Sequence, residues 1–504
     1  MDYRRQGAAN PAPPERTRFG LEKKTPAGLI EAFDSLWEQA RPAFKQERTW
    51  RRARTLALGA LVALGRHTIS GILSASGQQF ADWSAAYRLF ALERFDTDAL
   101  LAPARRAVLD RIADGEPLFC MLDDTLLRKR GRKIAGTGWR RDPLGPPFCN
   151  NFIWAQRFVQ LAAALPEGDG PSRARAIPID MLHCPSPRKP RKNASEALWE
   201  QYRQDALASR MSLHGAERVA ALRASLDADG QQGRSLVVAG DGSYTNSAMF
   251  AALPDRTAFI GRIRRDAALF TVPEPNPGRG RRRLYGHALP TPEQLRQDEA
   301  IPWRPARAYL AGQYIEVEHK EIGPLRWRAA RGRDLRLVII RPLAYRLAKG
   351  RPLKYRHPLY LICTDPELPV DRLIQAYLWR WEVEVGFRDQ KTLLGSGQAQ
   401  VRTAAGVERV PALIAAAYSF MHLAMTKDSP DGNAIGHLPR PRWQRPNPDQ
   451  RCTTQQAISA FRMQLWGRAL GVRNLRDFVK RKQAQAKSPK KLHDPANAVF
   501  YAAG

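Results

Sequence analysis

Cysteine is scarce, and none of it is paired. Cys120, Cys149, Cys184, Cys363 and Cys452 are scattered over 504 residues with no CxxC and no paired histidines. That spacing excludes a disulfide framework and a zinc site, so the cysteines are expected as reduced core residues. No apolar run approaches the roughly 20 residues of a membrane-spanning helix, and the N-terminal MDYRRQGAANPAPPER has no signal-type apolar core. A soluble, cytosolic protein is expected. No repeat at a fixed period is visible. Acidic residues are also few: 49 Asp and Glu stand against 81 Lys and Arg, for a net charge of +32. Such an excess excludes an ordinary enzyme of small neutral substrates and points to a polyanionic partner.

What is present is enough apolar sequence, 43% of the chain, to fill real cores. Residues 1–27 are rich in Pro, Arg and Ala and read as a disordered basic N-terminus. Residues 28–114 carry helical periodicity. Within them HTISGILSASGQQFADWSAAYRLF has the short-helix, Gly-turn, longer-helix rhythm of a DNA-binding domain. The texture then changes to strands at PLFCMLDDT, FIWAQRFVQLAAAL and RARAIPIDML. A charged helical stretch follows, then the strand SLVVAGDGSYT. This alternation predicts a mixed α/β core, with a first part over 115–256, a β-rich, Arg- and Pro-rich insertion over 257–365, and a second part over 366–430. Residues 431–504 read as a Pro-rich connector, a helix and a basic tail.

Three acids stand where such a core places chemistry. Asp123 and Asp124 end one apolar strand and Asp241 ends another, and carboxylates at the ends of adjacent strands converge on the crevice of an open α/β sheet. Convergent carboxylate oxygens suit hard divalent cations that also coordinate phosphate. Each acid has a plainer alternative as a turn residue or helix cap. The segment YLWRWEVEVGFRDQK adds a fourth feature. At about 100° per residue, Arg380, Glu384 and Lys391 lie within roughly 60° of Tyr377 on one helical face. Ile374, Leu378, Trp381 and Val385 form an apolar strip expected to seat that helix on the core. A solvated, ion-paired surface is the alternative for the charged face.

With these residues in view, the chain resembles the DDE transposases of bacterial insertion sequences that bear the Y-R-E-K signature. Tyr377, Arg380, Glu384 and Lys391 match the signature's spacing at every step. Asp123, with Thr125 two residues on, matches the first aspartate's Asp-x-Thr context, Asp124 being the alternative, and Asp241 matches the second. The resemblance covers roughly residues 115–425. It implies a ribonuclease H-like catalytic fold interrupted by a β-rich insertion, with Asp123, Asp241 and Glu384 as catalytic metal ligands. Two Mg²⁺ ions, for which Mn²⁺ can substitute, would drive cleavage at transposon ends and attack of the freed 3′ hydroxyl on target DNA.

Tyr377, Arg380 and Lys391 would then contact phosphates, and Arg388, Arg128, Lys129 and Arg130 are further DNA-binding candidates. Arg279, Arg281, Arg282 and Arg283 are candidates for a second duplex segment. Trp154, Trp379 and Trp381 could stack on an unpaired base or pack in the core. The implied partner is double-stranded DNA, bound by a homodimer in the bacterial nucleoid, with no membrane and no small-molecule substrate. A nuclease without strand transfer and a non-catalytic DNA-binding derivative are the alternatives.

Overall fold

A computed structural model describes residues 28–142, 145–146, 148–149, 151–274, 283–346, 350–428 and 451–469. The N-terminus 1–27, Arg279, Arg281 and Arg282, the connector and the basic tail lie outside the described residues.

Five helices come first: α1 (Leu29–Gln39), α2 (Glu47–Val62), α3 (Ile69–Ala75), α4 (Ser84–Ala91) and α5 (Thr97–Leu109). Leu29, Ile30, Phe33, Leu36 and Trp37 recur at helical spacing, and α1 buries them all. Side chains of Thr68 and Asp96 cap α3 and α5 by accepting the free N–H groups of Gly71 and Ala99.

The next block holds β1 (Leu118–Arg128), β2 (Gly138–Arg141), β3 (Phe152–Pro166), β4 (Ala174–His183), α6 (Glu196–Ala208), α7 (Met211–Ala228), β5 (Leu236–Gly240), α8 (Ser247–Ala252) and β6 (Thr257–Arg262). Then follow β7 (Leu269–Thr271), α9 (Pro292–Gln297), β8 (Arg304–Leu310), β9 (Gln313–Trp327), β10 (Leu335–Ile340), β11 (Ala344–Tyr345), β12 (Lys354–Tyr355) and β13 (Leu359–Cys363). The described chain closes with α10 (Val370–Trp379), α11 (Trp381–Thr392), α12 (Ala404–Asp428) and α13 (Thr454–Ala469).

One mixed sheet runs β2-β3-β1-β5-β6-β13-β10-β9-β7, with β4 on β3 and β8 on β9. β1, β5 and β6 are parallel, while β3 and β4 run antiparallel. The expected mixed α/β class holds. Most strands from 257–365 do not form a separate sheet: β6 pairs with β5, and β13 returns beside β6, while β11 and β12 stand apart as a two-stranded sheet.

Both faces of the sheet are covered. Leu118, Cys120 and Leu122 of β1 join one core with α1 to α5, α7, α12 and α13, and Phe119 and Met121 join another with α10 and α11. Alternation along the strand then sends Asp123 to the α10–α11 side and Asp124 to the opposite side. A one-residue slip would exchange them.

The expected single helix carrying Tyr377 to Lys391 is two helices meeting at Arg380. There Arg380 N–H bonds to Tyr377 O and Val383 N–H to Arg380 O, both three residues back rather than four. This joint shifts the phase of what is buried. The expected strip holds for Ile374 and Leu378 and is corrected for Trp381 and Val385, which line the cleft: the seat is Leu373, Ile374, Ala376, Tyr377, Trp379, Val383 and Phe387, with Leu378 packed against it. Trp379 is anchored by donating its indole N–H to Ser172 O at 2.7 Å and packs edge-on against Phe119. Trp381 is 60% exposed.

Candidate active site: carboxylates at a basic cleft

The parallel pairing of β1 and β5 sets Leu122 opposite Gly240, so the next residues, Asp123 and Asp241, stand side by side. Only Asp241 follows the end of its strand; the expectation that Asp123 and Asp124 end theirs is corrected, because β1 stays paired with β3 as far as Arg128. Space for this is tight. A Cβ on Gly240 would stand 2.9 Å from the Phe259 ring, so only glycine fits ahead of Asp241 while Phe259 stays in place. Helix α11 brings the third acid. One nitrogen, Arg380 Nη1, donates to Asp123 Oδ2 and to Glu384 Oε1, each at 3.1 Å. Those two oxygens are thus separated by no more than one shared hydrogen-bond donor. Asp241 Oδ1 accepts from its own turn, from Ser243 N–H at 2.8 Å and Ser243 Oγ at 2.6 Å.

A cleft of about 1680 Å³ is lined by all three acids together with Arg380, Arg388 and Lys391. A second cavity, of about 1030 Å³, shares Asp241, Ser243 and Arg380 with it and adds Tyr377, Arg262 and Arg265. Asp123 is only 15% exposed at its side chain. Burial pushes its carboxyl up to about 7; Arg380 pulls the other way, and the nearby Asp241 and Asp124 add to the rise. Burial likewise raises Tyr377 and lowers Lys391, the latter also through Arg128.

The two adjacent aspartates are sharply distinguished. Asp124 is held by Arg157, Nε at 2.7 Å and Nη2 at 3.0 Å, and accepts from the fully buried Tyr244 hydroxyl at 3.2 Å. Its oxygens are committed to protein partners, whereas Asp123 faces Arg380 and Glu384. Sequence reading missed Arg157 and Tyr244. One signal was available: Arg157 is the only charged residue of a largely apolar strand, which calls for an acidic partner.

The remaining predicted residues divide. Arg128 is exposed and pairs with Asp142 at 2.6 Å. Arg130 is exposed, its backbone N–H bonded to Gln400 Oε1. Arg388 is exposed and bonds Asp389 Oδ1 through Nε and Nη2. Lys129 departs from the expectation of a DNA-facing cation. It is 7% exposed, and its ammonium donates to Gly397 O at 2.9 Å and Ala399 O at 2.7 Å. Gly397, at φ +97°, adopts a backbone conformation that a side chain would strain. Trp381 lines the cleft, and Trp154 lines it too while donating its indole N–H to Gly131 O.

Residues 40–320 match the family model described as DDE superfamily endonuclease. The chain belongs to this family. The match spans Asp123, Asp124 and Asp241 and ends before Tyr377, Arg380, Glu384 and Lys391. No curated protein matches the chain. Membership in the DDE superfamily makes DNA the substrate class and the reaction that of a nuclease or transposase, enzymes that generally use divalent metal ions. No helix among the described residues is long and apolar enough to cross a membrane.

The donor set of the three carboxylates is all oxygen, as hard divalent cations prefer. Among the described residues no three acids, histidines or cysteines stand preassembled around one point. A guanidinium lies between two of them instead. The residues fit a divalent ion in chemistry, provided Arg380 gives way.

Proposed function

We propose that this DDE superfamily member is a DNA transposase that cleaves at transposon ends and joins the freed 3′ hydroxyl to target DNA. The observation that carries this reading is that Asp123, Asp241 and Glu384 rim one cleft that Arg380, Arg388 and Lys391 also line. Asp123, Asp241 and Glu384 would hold Mg²⁺ or Mn²⁺, as two ions, which when bound activates the attacking oxygen and stabilises the leaving one.

The chain's own residues do the rest. Arg380 offers a planar, two-pronged donor to a phosphate and Lys391 a point charge, and each lies within the cleft. Tyr377, beside Arg380 at 5.8 Å from its ring, orients that guanidinium. Arg128, Arg130 and Arg388 stand exposed at the cleft and would follow the backbone of the duplex. Asp124 positions β1 through Arg157 and Tyr244 rather than touching DNA. Two ends must be brought together, which favours a homodimer on DNA, at work on chromosomal DNA in the cytoplasm.

The test incubates purified protein, Mg²⁺ and a supercoiled plasmid carrying the inverted repeats that flank the coding region. Joined products support transposition. Cuts alone would leave an endonuclease, and binding alone a non-catalytic derivative. Glu384→Gln and Asp241→Asn are expected to abolish cleavage and retain binding. Cleavage at the wild-type rate by either variant refutes the assignment.

A further inference from the structure

We propose that Arg380 is a resident counter-cation of the carboxylate cluster, drawn off by a DNA phosphate before a divalent ion can bind, so that DNA and metal load cooperatively. The inference rests on the reading of Asp123 and Glu384 as metal ligands.

Three observations carry it. First, a single nitrogen of Arg380 bonds both acids at 3.1 Å, so the guanidinium takes the space and the charge that a divalent ion would take. Cations cannot share two oxygens at that range without strong mutual repulsion. Second, Arg380 has one unspent donor where it is: its Nε is buried with no hydrogen-bond partner. A phosphate that draws the side chain out of the cluster can accept two parallel N–H bonds from Nε and Nη, a pairing the acids do not make. Third, Arg380 lines both cavities and sits at the joint between α10 and α11. An incoming backbone in either cavity therefore meets it. Arg380 then pairs with phosphate, and Asp123 and Glu384 are left as a vacant anionic pair.

Linkage requires the effect to be reciprocal: the factor by which DNA tightens metal binding equals the factor by which metal tightens DNA binding. Arg380 acts here through Asp123 and Glu384, as a positioning residue.

The test measures Mn²⁺ binding to the full chain by electron paramagnetic resonance of the free ion, with and without a short duplex of mixed sequence. Wild type is expected to bind Mn²⁺ roughly tenfold tighter with the duplex than without. Arg380→Gln is expected to bind Mn²⁺ tightly without DNA and to gain little from it. Arg380→Lys, whose ammonium is a single point charge, should fall between the two, and it preserves the test if the glutamine variant does not fold. The inference is overturned if both variants bind Mn²⁺ no better than wild type in the absence of DNA, or keep the full increment on adding it. If Asp241→Asn and Glu384→Gln leave Mn²⁺ binding unchanged, the carboxylate reading itself fails and takes this inference with it.

Discussion

Replacing Asp123 by asparagine should stabilise the protein, while replacing its neighbour Asp124 by alanine should destabilise it. Asp123 is desolvated, and its carboxyl is raised from 3.8 to about 7. A raised carboxyl binds its proton more tightly in the folded state. Folding stability is then fully present below the unfolded value and is lost as pH rises toward 7. At about 1.4 kcal/mol per pH unit, the ionised group costs up to about 4 kcal/mol at pH 8. Asparagine is nearly isosteric and uncharged but turns an amide toward Arg380, so the gain should lie between about 1 and 4 kcal/mol.

Asp124→Ala does the reverse. It strips Arg157 of a two-pronged partner and Tyr244 of its acceptor. Arg157 keeps 33% exposure at its side chain, so the loss should be about 2–3 kcal/mol, below the 3–5 typical of fully buried pairs. For a chain this long each kcal/mol moves the melting temperature by roughly 1 °C. Differential scanning fluorimetry at pH 8 and pH 4 reads both. The asparagine variant should melt higher than wild type at pH 8 and level with it at pH 4. A variant that melts below wild type at pH 8, or a gap independent of pH, refutes the reasoning about Asp123.

Acid should weaken the fold through His183, whose ring is lowered from 6.5 to about 4 by burial and by Lys129 and Arg140, and whose Nε2 has no partner. The unfolded chain takes up that proton first, so up to about 3 kcal/mol should be lost as pH falls from 6.5 to 4; urea midpoints should show a shallower acid slope in His183→Gln, and an unchanged slope refutes the assignment. Arg128→Ala with Arg130→Ala should lower the slope of log affinity for DNA against log salt by about 1–2. Lys129→Met should leave that slope alone and lower the melting temperature, because its ammonium is spent on two carbonyls; a loss of salt dependence in Lys129→Met would return it to the DNA-binding group.

That Asp123, Asp241 and Glu384 would rim one cleft could be expected from sequence, because Asp123 and Asp241 follow apolar runs and Glu384 sits in a helical pattern of charge. What escaped depends on contacts distant along the chain. Asp123 and Asp124 become distinguishable only when β3 lies on β1 with Arg157 opposite Leu126. Lys129 turns inward because two carbonyls of the 397–399 loop await it, and nothing near Lys129 announces them. The joint at Arg380 escaped too, since the sequence around it has neither proline nor glycine to mark it. The longer strands of the 257–365 segment, such as β6, β10 and β13, belong to the main sheet through pairing, which periodicity does not encode.

Helix α12 has a further consequence. It follows the glutamate helix in sequence, yet it packs against α1, α2, α4, α5 and β4, and its Phe420 meets Phe33 and Trp37 edge-on. From the far side α13 closes the same core, and Thr454 Oγ donates to Asp389 on α11. The amino-terminal bundle is therefore no detachable head. A chimera that grafts another protein's first hundred residues onto this chain would leave α12 without its bed, and with it the support beneath β4. Recombining such proteins into new specificities would have to exchange both ends of the gene at once.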